Sequence, residues 1–154
     1  MLNKRKNRIK STLVIAIVLF YFACGAQDNN YKFVSNLKVG ELVKRPNQGS
    51  NEEVVYLGNI KSESGKPIFN VITVYSTVKA SNVYHGHSSV IYLDLDFKIV
   101  KRFELGERCD LPKELSNNVL FFEYKDENGK EKIYRNEVGH LVPKLLCVAP
   151  DDCY

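Results

Sequence analysis

Residues 67–105 read PIFNVITVYSTVKASNVYHGHSSVIYLDLDFKIVKRFEL, and this stretch limits the fold more than any other. It is rich in Val, Ile, Tyr, Phe and Thr, the side chains that suit a pleated, half-buried surface. Ile72, Val74 and Val78 share one parity, as do Ile91, Leu93 and Leu95. Apolar residues at alternate positions signal strands with one face in a core. Strands rarely exceed about ten residues, so the run must reverse, with breaks expected at residues 80–82 and 95–98. Three consecutive antiparallel strands are the result.

The flanking segments extend that pattern. Residues 53–60 and 119–124 read as further strands, and 61–66 (KSESGK) as a hairpin loop in which Gly65 can take positive φ. Residues 31–34 are expected to form an edge strand, and 38–44 a strand or one helical turn. Pro, Asn and Gly within 45–53 (RPNQGSNEE) indicate a loop. Asp110 is expected to cap a helical turn carrying Leu111, Pro112 and Leu115. Residues 140–146 (HLVPKLL) fit a last strand or one helical turn. Six to eight short strands with at most one or two helical turns make a mainly β domain. Its antiparallel sheets are built from hairpins, as a small sandwich or a partly open barrel.

One hairpin is specified to the residue. Residues 131–137 follow 119–124 across Asn128-Gly129. A two-residue Asn-Gly loop would set Asp126 opposite Glu131 and Lys125 opposite Lys132, and like charges across a strand pair destabilise it. A three-residue loop, Glu127-Asn128-Gly129 with Gly129 left-handed, instead sets Asp126 against Lys130, Lys125 against Glu131 and Phe122 against Tyr134. The three-residue loop is therefore expected.

The amino terminus carries an address. Lys4, Arg5, Lys6, Arg8 and Lys10 precede an apolar run over residues 13–26, the pattern of a secretory signal peptide. That run is short of the roughly 18 residues a permanent spanning helix needs. Tyr21-Phe22-Ala23-Cys24-Gly25 resembles a bacterial lipoprotein signal, with small residues on either side of a cysteine. Tyr21 stands where that pattern usually has an aliphatic residue. The resemblance implies acylation of Cys24 and membrane anchoring of an exported protein. Ordinary cleavage after Ala26 is the alternative, and an uncleaved anchor a third. Residues 1–26 are thus read as a signal peptide, 27–30 as a short tether and 31–154 as a single domain.

Charge and cysteines agree with export. The chain has 22 basic and 18 acidic residues; five basic and no acidic residues lie within 1–23, leaving 17 against 18. A net charge of −1 on the remainder gives no basic footprint for nucleic acid. Cys109, Cys147 and Cys153 remain, permitting one disulfide and one thiol. Cys147–Cys153 is preferred, because the intervening residues can turn and pin the chain end, with Cys109 as the alternative partner of either. No pair has the C-x-x-C spacing of a zinc site.

Chemistry is sparse. His85 and His87 lie two apart, so on a strand both imidazoles point the same way; zinc needs a third ligand, for which His140, Asp94 and Asp96 are the candidates. His87-Ser88-Ser89 matches half of a two-histidine phosphoesterase pattern, with no second half. No serine stands in a G-x-S-x-G elbow. Asp94 and Asp96 lack the remaining oxygens of a calcium loop and read as turn residues. Arg108 beside Cys109 would lower a thiol pKa, although a disulfide or an idle thiol fits export better. Tyr75, Tyr84 and Tyr92 are candidates for a binding face. The expectation is an exported envelope protein: a lipid-anchored, non-catalytic binding or accessory domain with an unknown protein partner and no cofactor. A small metal-binding protein or metal-dependent enzyme using His85 and His87 is the alternative.

Overall fold

The computed structural model describes residues 31–47, 50–81 and 83–154. A 3-10 turn, Lys32–Asn36, leads into five strands: β1 (Leu42–Asn47), β2 (Ser50–Lys61), β3 (Pro67–Ala80), β4 (Val83–Leu93) and β5 (Ile99–Leu105). They form an antiparallel meander in the order β1-β2-β3-β4-β5. A second 3-10 turn, Arg108–Asp110, precedes β6 (Glu114–Ser116), β7 (Val119–Lys125) and β8 (Glu131–Glu137), a three-stranded meander. The ribbon of β9 (Cys147–Ala149) and β10 (Asp152–Cys153) closes the chain. The protein is mainly β, made of hairpin-connected antiparallel sheets with no closed barrel.

Both faces of the five-stranded sheet are covered. Val71, Val90, Tyr92, Phe103 and Leu105 pack beneath Leu120 and Phe122 of β7, with Leu146 and Val148 completing the cluster. Ile72, Val74, Ile91 and Leu93, of opposite parity, pack beneath Tyr31 and Val34. The sequence expectation of one buried face is corrected here: alternation shows that a strand has two faces, not whether a second layer covers both. A bulge lets β2 serve this arrangement. Tyr56 pairs with Ile72 and Gly58 with Val71, so the register shifts across Leu57. Gly58 has φ +121°, a backbone closed to most side chains. The shift returns both Leu57 and Ile60 to the face below β7.

Three hairpins use one turn. Gly65 N–H bonds Ser62 O, Phe97 N–H bonds Asp94 O, and Gly129 N–H bonds Asp126 O, with Gly65, Phe97 and Gly129 at φ +78°, +63° and +73°. The expected loop at residues 127–129 is present, with Lys125 opposite Glu131 and Phe122 opposite Tyr134. Asp94 and Asp126 each accept two backbone N–H groups within their own turns. Phe97 is the exception to glycine, and its ring packs against the Ile72 cluster. That contact offsets a left-handed conformation costing about 1–2 kcal/mol for a residue with a Cβ.

Four local expectations are corrected. Residues 31–34 enter a 3-10 turn, not an edge strand. Residues three apart align in such a turn, and it buries Tyr31 and Val34 together. Strand β1 runs through Pro46, since an outer strand tolerates a missing N–H; only the short reversal between β1 and β2 remains of the expected loop. Asp110 ends the second 3-10 turn, its carboxylate accepting the Glu107 N–H at 2.6 Å. Pro112 holds Leu111 extended (φ −71°, ψ 136°), so no helix passes and Leu115 joins β6. Residues 140–146 lie outside any strand or helical turn, and backbone pairing resumes at Leu146, which exchanges N–H···O bonds with Tyr154 just ahead of β9.

Candidate functional site

Strand β4 divides at Ser88. Residues 88–93 are buried and residues 83–87 are exposed. The boundary follows from β5, whose last pair is Leu105 with Ser88; beyond it β4 is an open sheet edge, paired only with β3, which itself stays paired with β2 as far as Val78. Val78, Val83 and Tyr84 at this end of the sheet are 39%, 58% and 65% exposed. Strand parity puts Tyr75, Thr77, Lys79, Tyr84 and Gly86 on one face, and Ser76, Val78, Val83, His85 and His87 on the other.

The sheet beside this edge is braced. Arg108 forms an ion pair with Glu53 and lies 4.8 Å over the Tyr75 ring. Lys44 bonds the same carboxylate at 2.9 Å. The hydrogen bond from Lys44, followed by the nearby Arg108 charge, holds the Glu53 carboxyl below the usual glutamate range despite its partial burial. The hydroxyl end of Tyr75 also packs close to Gly86: a Cβ there would sit 2.5 Å from the tyrosine oxygen. The Tyr75 ring, Arg108, Leu42, Val55 and Lys113 line a cleft of about 510 Å³, with Cys109 at its rim.

The expected site residues separate. His85 and His87 are exposed on one face, opposite Val78 and Ser76. Asp94 and Asp96 lie in the turn at the other end of β4, the Asp94 carboxylate occupied by N–H groups of Asp96 and Lys98. Among the described residues, no group of three His, Cys, Asp or Glu side chains gathers closely enough to hold a metal ion. His140 lies in the segment between β8 and β9. Tyr75 and Tyr84 share a face with Tyr92, but Tyr92 is fully buried in edge-to-face contact with Phe103 at 5.8 Å. Burial pushes its hydroxyl pKa well up. Tyr92 therefore leaves the expected binding face, because the sheet above it covers that end of β4.

Cys147 and Cys153 form the expected disulfide, and Cys109 is the free, exposed thiol. Arg108 does not activate it, being directed to Glu53 and Tyr75. Partial burial pushes the thiol pKa up, and the carboxylates of Glu107 and Asp110, at 3.5 and 3.7 Å from the sulfur, push it further. This environment favours the protonated thiol over the nucleophilic thiolate, which corrects the sequence reading of an Arg108-assisted nucleophile.

Cys24, the signal segment and the tether lie outside the described residues. Among the described residues no helix is long and apolar enough to cross a membrane. Two features had little or no sequence signal. Arg108 and Glu53 are 55 positions apart, beyond any local pattern. The contact of Gly86 with Tyr75 had a faint one, since glycine inside a strand often marks a close approach. No family model matches the chain, and no curated protein or solved structure matches it either. The class defined by the structure is a mainly antiparallel β domain, two larger sheets and a two-stranded ribbon, in which the first half of β4 is an exposed edge.

Proposed function

We propose that the chain is an exported bacterial envelope protein, anchored by lipid at Cys24, whose β domain binds a protein partner through the exposed edge of β4, residues 83–87. The observation that carries the binding reading is the change along one strand. Ile91, Tyr92 and Leu93 are wholly buried, whereas Val83 and Tyr84 of the same strand are mostly exposed. A tyrosine-bearing strand edge that the core does not use, itself without a charged residue over positions 83–87, suits a surface part apolar and part wet. The disulfide suits an oxidising compartment. The chain also enters the domain at a fixed place: Arg45 stacks on Tyr31 at 5.0 Å and Phe33 at 4.5 Å, and it bonds the buried Glu52.

Two measurements test this. The intact mass of membrane-extracted protein from a bacterial host is expected to begin at an acylated Cys24; a mass beginning at Gln27 refutes the anchor. A photoreactive residue at position 84 is expected to give one discrete cross-linked adduct in cells, lost when Val83 is changed to Asp. A diffuse smear unaffected by that change refutes the β4 edge as a binding surface.

The second reading, a metal-binding protein, is favoured by the shared exposed face of His85 and His87. Stoichiometric zinc or copper in purified protein, lost on changing both residues to Ala, would support it.

A further inference from the structure

The outer strands of the two larger sheets are protected against pairing with other chains, with one exception. Strand β1 carries Lys44, Arg45 and Pro46; β5 carries Lys101, Arg102 and Glu104; β6 carries Glu114; β8 carries Glu131, Lys132, Arg135 and Glu137. Charges and proline on an edge are the usual means of keeping it single. Residues 83–87 of β4, Val-Tyr-His-Gly-His, extend past β5 and contain no Lys, Arg, Asp, Glu or Pro. All five are exposed. Among the described residues, none pairs with them on the side away from β3.

The stretch is self-complementary about His85. Only positions 81 and 82 separate the paired residues Ala80 and Val83, and a two-residue hairpin loop is flanked by a hydrogen-bonded pair. Val83, His85 and His87 thus direct their backbone groups to β3, leaving those of Tyr84 and Gly86 directed outward. Antiparallel pairing with a second copy then sets Tyr84 opposite Gly86 of that copy, with both residues contributing N–H and C=O. It sets His85 opposite His85 of the second copy, as a non-hydrogen-bonded pair whose side chains approach closely.

The metal chemistry needs this pairing. Within one chain His85 and His87 supply two imidazoles on one face, one short of the three protein ligands a zinc site requires. The second copy's strand brings a third imidazole to the same face. We propose that two copies pair along residues 83–87 of β4 and share a borderline transition ion, zinc or copper, held by His85 and His87 of one copy and His85 of the other. The inference rests on the metal-binding reading for its ligands, and adds that the site is incomplete without the second copy.

The test is sedimentation of the untagged full chain in detergent, metal-free and with added zinc, alongside zinc titration by calorimetry. Zinc is expected to convert the chain to a dimer. His85→Ala and His87→Ala, at exposed positions, are each expected to abolish that conversion while leaving the far-UV circular dichroism unchanged. Tyr84→Lys keeps both histidines but charges the edge, and is expected to block the dimer and weaken zinc binding with it. Absence of zinc binding overturns both the metal reading and this inference. Zinc bound tightly by a chain that stays monomeric, or by Tyr84→Lys as well as by the native chain, overturns the inference alone. Dimerisation that persists in His85→Ala overturns it too, since the ion would then lie elsewhere.

Discussion

At Gly86 the backbone of β4 passes close to the ring of Tyr75, over which Arg108 also lies. A methyl group at position 86 would meet the Tyr75 hydroxyl oxygen at 2.5 Å and ring atoms at 2.9 and 3.0 Å, so the tyrosine must shift from its place beside Arg108. Gly86→Ala is expected to cost about 1 kcal/mol in urea unfolding, the low end for overpacking. Tyr75→Ala in the same chain should remove most of that penalty; strictly additive effects in the double-mutant cycle would show that the ring is not the obstacle. Glycine here has a packing role, which its sequence context did not separate from simple loosening of the strand. Asp94 was more legible, because a turn aspartate acts on N–H groups two and four residues away. The buried position of Tyr92 was not, because the sheet that covers it begins over twenty residues later.

Between elements, two side chains join parts of the fold distant in sequence. Glu53 of β2 meets Lys44 of β1 and Arg108 of the second 3-10 turn. Its folded pKa lies below the ordinary glutamate value of 4.5. The stabilisation is therefore fully present above that value and is lost as the pH falls through the lowered folded pKa. Unfolding free energy measured between about pH 3 and 6 should decline on the acid side, and Glu53→Gln should flatten that decline. An unchanged slope in the variant would assign it to other carboxylates. Asn118, at φ +60° in the β6–β7 turn, accepts the Lys61 N–H at 2.8 Å and donates to the Lys61 carbonyl at 2.7 Å. It thus ties the second sheet to the end of β2. Asn118→Gly preserves the backbone conformation while deleting both bonds, and is expected to cost about 1–2 kcal/mol. A neutral result would mean that water replaces the clamp without loss. The β7–β8 hairpin shows which part of this level is readable in sequence. Its register followed from charges within a dozen residues, whereas the clamp spans 57 positions.

For the whole molecule, two clusters on opposite faces of one sheet make the five-stranded meander the shared wall of both cores. The chain end is fastened to this body by Leu146 and Val148 in the core and by the Cys147–Cys153 disulfide, six positions apart. Cys153→Ser, in a Cys109→Ser background to prevent exchange, is expected to lower stability by about 2 kcal/mol, the loop-closure entropy of so short a ring. The urea midpoint should fall while the circular dichroism spectrum of the folded state is retained. No change in midpoint would mean that the core residues alone hold the end.

The sequence by itself determined the mainly β class and the hairpin loop at residues 127–129, and it favoured the pairing of Cys147 with Cys153 and a turn role for Asp94. Each depends on interactions within a few residues: backbone permission at glycine, charges across a tight turn, a cysteine pair that can meet locally. Only the tertiary structure decided that both faces of β3 and β4 are covered. It also decided that β4 changes from core to exposed edge at Ser88, that Arg108 serves Glu53 and Tyr75 rather than Cys109, and that Tyr84 is exposed while Tyr92 is buried. Alternation specifies that a strand has two sides; what lies against each is settled by segments arriving from elsewhere in the chain.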